Sequence, residues 1–283
     1  MMNHSSLVRF AACLLLCQFI FVAIAIPCLG SERERQVVVA VAQFNAVPEA
    51  PAENLASMER LTRSAVKEGA RWLLFHEGSL CDYTDRLDQL AEEVPSGPAT
   101  CQMIKLAQQL NCTISFGLSE KDGNRRYITQ VFVGPQGLIH RYRKTWLYKD
   151  PGDKGFRNEF ARYDPGTGPE LFVIDGIRAT CYVCADGTAP RCIARATSLR
   201  PDVVFYPVNI VAPDPQWIRD LAADHARTID APVLLANRVG ASWVHQNGNG
   251  GAAILSPTGQ LLAAANVEGR EEVVIHRLII PAR

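Results

Sequence analysis

Three residues with reactive side chains each follow an apolar run that is typical of a buried β-strand. Glu77 follows WLLFH, Lys144 follows LIHRYR and Cys184 follows IRATCYV. Functional residues gather at strand ends in α/β folds, because the strands are rigid and the loops after them are free to vary. A thiol, a carboxylate and an ammonium suit acyl transfer from an amide or a nitrile. The thiolate attacks carbon, the carboxylate moves protons and the cation stabilises the charge that develops on oxygen or nitrogen.

The segment around Cys184 adds a prediction about the thiol itself. In CYVCADGTAPR the strand-like run breaks into a short turn, and a helix-like run, RCIARATSL, follows. Backbone N–H groups and a helix start close to a thiol lower its pKa and supply donors for an oxyanion. We therefore expect a lowered pKa for Cys184.

Each of these residues also has an ordinary interpretation. A lone glutamate is usually an exposed carboxylate, the basic run HRYRK is typical of a solvated face, and a buried cysteine is commonly inert. The spacing Cys181-x-x-Cys184 also allows a redox or zinc site, but a zinc site needs a second pair of ligands, which Cys192 and the nearby histidines do not supply. Cys181 precedes Cys184 by three strand positions, so we expect its side chain on the opposite face, in the core.

Strand-like and helix-like runs alternate along the chain. Buried strands are predicted at Gln36–Phe44, Trp72–Phe75, Ile114–Leu118, Leu171–Ile174, Ile177–Val183, Val203–Tyr206 and Val233–Asn237. A hairpin is predicted at Tyr127–Val133 and Leu138–Tyr142, and two or three closing strands are predicted within Ala252–Leu278. Helices are predicted at Ala52–Lys67, from Ser96-Gly97-Pro98 through Leu110, at Arg191–Ser198 and at Pro215–Asp230.

This order of elements predicts one α/β domain over residues 36–280. Mixed strands and helices in this order indicate two packed sheets with helices on the outside. The segment Asp150–Gly168 is rich in glycine, proline and charge, and we expect it to form a long ordered loop over the site.

Residues 1–30 differ from the rest of the chain and predict a signal peptide. Met1–Arg9 carries one positive charge, Phe10–Ile26 is apolar, and the polar run SERERQ follows Gly30. The apolar run is long for a signal peptide, so an uncleaved membrane anchor is the alternative. We expect an exported protein, periplasmic or secreted, without membrane contact beyond this leader.

Composition excludes some classes of function. The 283 residues include 29 basic and 29 acidic side chains, so the formal net charge is zero, and neither sign forms a block or a stripe. Nothing in this pattern indicates binding to nucleic acid. The apolar share of 48% is enough for a sizeable core.

Two motifs resemble those of the nitrilase, or carbon–nitrogen hydrolase, superfamily. Its glutamate motif, a hydrophobic strand followed by Pro-Glu, is matched by LLFHEG at Glu77, with His76 in place of the proline. Its lysine motif is matched by HRYRKTWLY at Lys144.

Two further motifs follow in the order of this superfamily. Its cysteine motif, Cys-x-Asp with a later proline, is matched by CADGTAP at Cys184, Asp186 and Pro190, and its second glutamate aligns with Glu159 in NEFARYDPG. The resemblance covers about Val37 to Leu278, where DHARTIDAPVLLANRVG and GNGGAAILSPTGQLLA are similar to late segments of the family. Each motif alone is weak, and the four in order are specific.

The resemblance implies a fold and a role for each residue. The fold is a four-layer α-β-β-α sandwich, and the family often assembles as a homodimer or a larger homo-oligomer. Glu77 is the general base, Cys184 forms a thioester, and Lys144 with the backbone N–H of Ala185 stabilises the tetrahedral intermediate. Glu159 positions Lys144 or the substrate, and Asp186 supports the cysteine turn. Neither a metal nor an organic cofactor is implied.

The chain departs from the family pattern beside Pro190. The aromatic residue and the glutamate that often flank this proline are Ala189 and Arg191 here. Loss of the aromatic ring widens the expected pocket, so the substrate does not carry over from any subfamily. Arg191 pairs with a substrate carboxylate or is an ordinary surface arginine.

The sequence predicts an exported thiol amidohydrolase that cleaves a non-peptide C–N bond of a small amide. A nitrilase or an N-carbamoyl hydrolase would use the same three groups. The expected substrate of this protein is therefore a small amide or nitrile. A non-catalytic binding protein on the same scaffold and a thiol redox protein are the alternatives from other classes.

Overall fold

The computed structural model describes residues 34–149, 158–211, 214–243, 246–266 and 269–281. The predicted signal peptide, residues 1–30, lies outside the described residues, as do residues 150–157 of the predicted loop. Within the described ranges, no helix combines the length and the apolar character needed to cross a membrane.

The first strand, β1 (Arg35–Gln43), buries both of its faces. Val37, Val39 and Val41 belong to a core between two sheets, whereas Ala40 and Ala42 belong to a core beneath two helices. Alternate side chains of a strand point to opposite faces, so an apolar run without polar alternation is covered on both sides.

Six strands form the first sheet. They are β1, β2 (Trp72–Leu74), β3 (Thr113–Asp122), β4 (Arg125–Gly134), β5 (Gly137–Arg143) and β14 (Glu272–Ile280). Their order is β14-β1-β2-β3-β4-β5, in which β1, β2 and β3 are parallel and the remaining pairs are antiparallel.

Six shorter strands form the second sheet. They are β6 (Phe172–Ile174), β7 (Ile177–Cys181), β8 (Val203–Pro207), β9 (Val233–Ala236), β12 (Ala253–Leu255) and β13 (Leu261–Ala264). Their order is β13-β12-β9-β8-β7-β6, with β7, β8 and β9 parallel. A separate hairpin, β10 (Val239–Ala241) and β11 (Asn247–Asn249), was not among the predicted elements.

Helices cover the outer face of each sheet. The helices α1 (Pro51–Lys67) and α3 (Pro98–Leu110) pack on the first sheet, whereas α4 (Pro190–Ser198) and α5 (Gln216–Ile229) pack on the second. A four-residue helix, α2 (Leu87–Leu90), lies between β2 and α3 and was not predicted. Proline occupies the first position of α1, α3 and α4, where its missing N–H costs no hydrogen bond.

Aromatic side chains join the two sheets. The ring centroid of Phe205 in β8 lies 5.0 Å from that of Phe132 in β4 and 6.0 Å from that of Trp72 in β2. The layers therefore follow the order α-β-β-α, and the predicted single-domain sandwich is confirmed.

One strand ends earlier than the sequence predicts, next to the cysteine. β7 ends at Cys181, not at Val183, because the backbone N–H of Val183 donates to the Asp186 side chain at 3.0 Å and not to a neighbouring strand. The chain thereby leaves the sheet three residues before Cys184 and enters a 3₁₀ turn, Cys184–Thr188.

Candidate active site

The turn that carries Glu77 lies directly against β3. A side chain on Gly117 would collide with the backbone nitrogen of Gly78, so only glycine allows this approach. The N–H of Gly117 donates to the hydroxyl of Ser79 at 3.0 Å, and its carbonyl accepts from the N–H of Leu80 at 2.9 Å. These bonds fix the turn after β2 and leave Glu77 only 1% exposed.

Lys144 directly follows β5 and holds two carboxylates together. Its Nζ donates to Glu77 Oε1 and to Glu159 Oε1, each at 2.8 Å. The three side chains are at most 2% exposed. One buried cation therefore lies between two buried anions.

Both oxygens of Glu159 are occupied, which fixes this side chain. Oε1 also accepts the Tyr83 hydroxyl at 2.6 Å, and Oε2 accepts the backbone N–H of Tyr148 at 2.6 Å. Glu77 differs from Glu159. A hydrogen bond with the Cys184 thiol lowers the pKa of Glu77. Glu77 Oε2 has no other hydrogen-bond partner among the described residues. Glu159 is therefore held in place, and Glu77 keeps one oxygen for the thiol.

Cys184 occupies a strained backbone position at the start of its turn. Its φ of 49° lies in the left-handed region, which non-glycine residues seldom adopt. The Tyr206 hydroxyl donates to the Cys184 carbonyl at 3.1 Å. A hydrogen bond from the backbone of Asn209, after β8, lowers the pKa of the thiol. This backbone aims a partly exposed thiol at the buried carboxylate and lysine.

Asp186 ties the cysteine turn to the segment after Lys144. Its Oδ1 accepts the backbone N–H groups of Thr145 and Trp146 at 3.1 and 2.6 Å. Its Oδ2 accepts the Tyr142 hydroxyl at 2.8 Å and the backbone N–H of Val183 at 3.0 Å. Asp186 thus sets the position of one reactive turn relative to the other.

The thiol and the carboxylate both have raised pKa values. Burial raises the pKa of Glu77, the nearby Lys144 ammonium lowers it and Glu159 raises it again. Burial, and then the charge of Glu77, raises the pKa of Cys184 well above its ordinary value despite the opposing effect of Lys144. The predicted lowering of the Cys184 pKa is therefore wrong, because loss of hydration and a buried anion outweigh the donors near the turn.

Lys144 stays charged in this environment. Burial lowers its pKa, but the carboxylates of Glu159 and Glu77 together raise it well above the ordinary value. A thiol that is protonated at rest, beside a carboxylate and an ammonium, requires a base to make the nucleophile.

A cavity of about 330 Å³ opens above Cys184. Its lining includes Ala185, whose backbone follows the cysteine at the cavity wall, and Glu159. Asn209 and Asp82 also line it, and the Asn209 amide donates to Asp82 Oδ1 at 2.8 Å. Within the described part of the chain, no group of three or more His, Cys, Asp or Glu side chains is arranged to hold a metal ion.

A buried ion pair beside the cavity was missed by the sequence analysis. Arg238 Nη1 donates to Asp82 Oδ2 at 2.6 Å, and both side chains are fully buried. Tyr83 and Asp82 belong to no motif noted in the sequence, and Arg238 lies within DHARTIDAPVLLANRVG but was not singled out there. A signal for them was absent, since their contacts join segments that are distant along the chain.

Comparison with known proteins places the chain in a family. A model of the family described as carbon-nitrogen hydrolase matches residues 38–280. The chain belongs to the carbon–nitrogen hydrolase family. It is 29% identical to a nitrilase of Pyrococcus abyssi over 84% of this chain and 87% of the relative. It is also 29% identical to an N-carbamoylputrescine amidase of Solanum lycopersicum, over 87% of this chain and 86% of the relative.

Solved structures of the carbon–nitrogen hydrolase superfamily share the fold. A mutant of the Nesterenkonia AN1 amidase aligns with a TM-score of 0.75 at 19% identity, over 87% of this chain and 90% of the other. A superfamily protein of Xanthomonas campestris with an arsenic adduct in its active site aligns with a TM-score of 0.77 at 19% identity. The alignment covers 88% of this chain and 91% of the other. At this identity the likeness concerns the fold alone.

His76, the departure from the Pro-Glu pattern of the family, is an uncharged core residue. Its ring is fully buried, and Nδ1 lies 2.6 Å from the Glu77 carbonyl oxygen. Burial, and then the charge of Arg238, lowers the pKa of His76 to about 3. The residue is therefore neutral near pH 7.

Other residues noted in the sequence lie outside the site. Arg191 is exposed, with its guanidinium 5.7 Å from the centroid of the Trp146 ring, and it does not line the cavity. Cys181 is buried in the core, as predicted. His225, which the sequence analysis does not name, packs against Tyr182, whose hydroxyl lies 3.0 Å from His225 Nδ1.

Proposed function

We propose that this carbon–nitrogen hydrolase cleaves the C–N bond of a small amide through a thioester on Cys184. The observation that carries the proposal is the buried cluster of Glu77, Lys144 and Glu159, beside a cavity that Glu159 and Cys184 line. This grouping supplies a base, a cation and a nucleophile within reach of one carbonyl.

The first half of the reaction forms the thioester. Glu77 takes the proton of the Cys184 thiol as the sulfur attacks the amide carbon, and the carbonyl electrons move onto oxygen. The Lys144 ammonium and the backbone N–H of Ala185 stabilise this oxyanion. The intermediate collapses when the C–N bond breaks, and the proton on Glu77 passes to the leaving nitrogen, so that ammonia departs.

The second half releases the acid. Glu77 takes a proton from water as the water oxygen attacks the thioester carbon, and the same groups stabilise the second oxyanion. The C–S bond then breaks, and the proton on Glu77 returns to the Cys184 sulfur. Glu159 acts as a positioning residue, because it shares Lys144 with Glu77 and has both of its own oxygens occupied.

Two other reactions would use the same groups. The resemblance to a nitrilase and to N-carbamoylputrescine amidases supports attack on a nitrile carbon or a carbamoyl carbon as alternatives to an amide. The raised pKa of Cys184 and the adjacent base favour a nucleophile activated on demand over a stable thiolate, so a redox role is less well supported.

The test is ammonia release from small amides, nitriles and N-carbamoyl compounds. We expect release by the native protein and none by Cys184→Ala. Cys101→Ala, which removes an exposed thiol on α3, is the matched control and retains activity. Equal release by the native protein and Cys184→Ala would contradict the proposal, and ligand binding without release would favour the non-catalytic alternative.

We further propose that the protein is exported through residues 1–30. The support is the sequence pattern of a short basic start, an apolar run and a polar segment. Mass spectrometry of the protein from its native host is expected to find a chain that begins between residues 26 and 31. A chain that still carries the apolar run would support the membrane anchor.

We also propose that the protein assembles as a homodimer or a larger homo-oligomer. The family resemblance supports this, and large apolar side chains such as Val173, Leu261 and Ile279 are more than half exposed at 55%, 54% and 54%. Light scattering on the purified protein is expected to give at least twice the mass of one chain.

A further inference from the structure

The cavity above Cys184 has aromatic walls. Five rings line it, and they come from the loop after β2, the segment after β5, β8, the start of α5 and the segment after β10: Tyr83, Tyr148, Tyr206, Trp217 and Trp243. Ile210 and Val211 complete an apolar wall. Rings of this kind pack against flat or bulky apolar groups, and the cavity has far more room than acetamide needs.

The two acidic residues in the described lining are already neutralised. Asp82 accepts from Arg238, from the Asn209 amide and from the backbone N–H of Trp243 at 2.6, 2.8 and 2.9 Å. Glu159 accepts from Lys144, as described above. Neither carboxylate has an oxygen left over for the ammonium group of a substrate.

A substrate carboxylate would also lack a partner. The described lining contains no lysine or arginine side chain, and Arg191 lies outside it. Lys144 is fully buried, its Nζ already bonds two carboxylates, and the proposed mechanism uses its remaining N–H for the reacting oxygen. A charge that leaves water for an apolar cavity without a partner is strongly disfavoured.

We infer that the substrate carries an uncharged acyl group of aromatic or bulky apolar character, and that this cavity rejects acyl groups with a carboxylate or an ammonium. The inference deepens the proposed function and rests on it. Recognition then depends on ring packing in the cavity, whereas the reacting carbonyl lies at Cys184.

The first experiment compares three amides of one shape. 3-Phenylpropionamide is neutral, and its para-carboxy and para-aminomethyl forms carry a negative and a positive charge. We expect kcat/KM for ammonia release to be at least about 100-fold higher for the neutral amide, because each charged form buries an unpaired charge. A charged form that equals or exceeds the neutral amide would overturn the inference.

A binding measurement distinguishes a failure of this inference from a failure of the proposed function. Calorimetry with Cys184→Ala measures affinity for the same three amides without turnover. We expect the neutral amide to bind tightest, and similar affinities for all three would overturn the inference. Selective binding of the neutral amide together with no ammonia release by the native protein would refute the proposed function and leave the selectivity standing.

A wall substitution tests whether the rings cause the preference. Trp217 lies in the first turn of α5 and is 45% exposed, so Trp217→Ala is expected to fold. We expect the ratio of kcat/KM for 3-phenylpropionamide to that for acetamide to fall about tenfold. Leu261→Ala removes a large exposed side chain outside the cavity and is expected to leave the ratio unchanged. Equal ratios in Trp217→Ala and the native protein would contradict a role for this wall.

Discussion

Burial acts on both Glu77, the proposed base, and Cys184, the proposed nucleophile. Burial raises the pKa of the carboxyl and of the thiol, and Lys144 acts on each in the opposite direction. A carboxylate with a raised pKa is a better proton acceptor near neutral pH than an exposed one. The environment therefore favours Glu77 as the proposed base and keeps the Cys184 thiol protonated at rest.

The first prediction concerns the base. Glu77→Gln keeps the shape of the side chain and removes its proton-accepting charge, so kcat/KM is expected to fall about 10²–10⁴-fold. The rate of Cys184 alkylation by iodoacetamide is expected to fall as well, since the same base activates the thiol. Glu53→Gln, at an exposed position of α1, serves as the control. Unchanged alkylation in Glu77→Gln would contradict the assignment.

The native enzyme is expected to lose activity on the acid side as Glu77 is protonated. Because burial raises the Glu77 pKa, kcat/KM is expected to decline as pH falls through a value above the ordinary pKa of about 4.3. The pH profile of kcat/KM measures this value directly. A profile that is flat down to the ordinary pKa would count against Glu77 as the base.

Lys144 has a structural effect that is separable from catalysis. Lys144→Met leaves the carboxylates of Glu77 and Glu159 buried and facing each other, so the free energy of unfolding is expected to fall by about 3–5 kcal/mol near pH 7. The direction in which the free energy of unfolding changes with pH follows from Glu77, whose pKa is raised in the folded state. Its charged form costs stability as pH rises from the unfolded pKa of about 4.3 through the folded value.

Urea unfolding of Lys144→Met and of the native protein at two pH values measures this effect. The deficit of Lys144→Met is expected to be smaller near pH 5 than near pH 8, because proton uptake by Glu77 relieves the repulsion. A deficit that is the same at both values would mean that lost packing, and not charge, destabilises the variant.

At the scale of elements, two reactive turns come from different sheets and must be held in register. The turn with Cys184 follows β7 of the second sheet, and the segment with Lys144 follows β5 of the first. Asp186 bonds backbone N–H groups on both sides, so it holds the Cys184 turn, with the proposed nucleophile, next to the segment of Lys144.

Replacement of Asp186 tests this link between elements. Asp186→Asn offers one carbonyl oxygen where the native residue offers two, so N–H groups of Thr145 and Trp146 or of Val183 lose their acceptor. We expect about 1–3 kcal/mol lower stability and a drop in kcat that exceeds any rise in KM. Asp220→Asn on the exposed side of α5 is the control. An unchanged kcat would show that the link does not position the thiol.

At the scale of the whole molecule, the Asp82–Arg238 pair joins the two halves of the chain. Asp82 follows β2 of the first sheet, and Arg238 follows β9 of the second, where it also donates to the carbonyl oxygens of Ala46 and Ala241. The pair is fully buried, so each charge depends on the other to offset its lost hydration.

A double-mutant cycle is expected to show this dependence. Arg238→Met alone leaves Asp82 buried without its cation and is expected to cost about 3–5 kcal/mol in the free energy of unfolding. Arg238→Met with Asp82→Asn is expected to cost less than the sum of the single changes, because no unpaired charge remains. Strict additivity in urea unfolding would mean that the two charges do not interact.

The fold was largely predictable because its signals are local. Apolar runs such as QVVVAVAQ mark strands covered on both faces, and proline marks the starts of α1, α3 and α4. The hairpin β10–β11 and the helix α2 escaped prediction, since NGN and LDQL are too short and too polar to carry a periodic pattern.

The sequence by itself determined most of the elements and their order, and that Glu77, Lys144 and Cys184 each follow a strand. Only the tertiary structure decided that Lys144 bonds both carboxylates, that the Cys184 pKa is raised, and that Asp82 and Arg238 neutralise each other beside an aromatic cavity. The physical reason is the separation along the chain over which each kind of interaction acts. Hydrophobic periodicity and turn chemistry act between near neighbours in the chain, whereas desolvation and Coulomb interaction depend on burial and on distances between residues that only the packed sheets bring together.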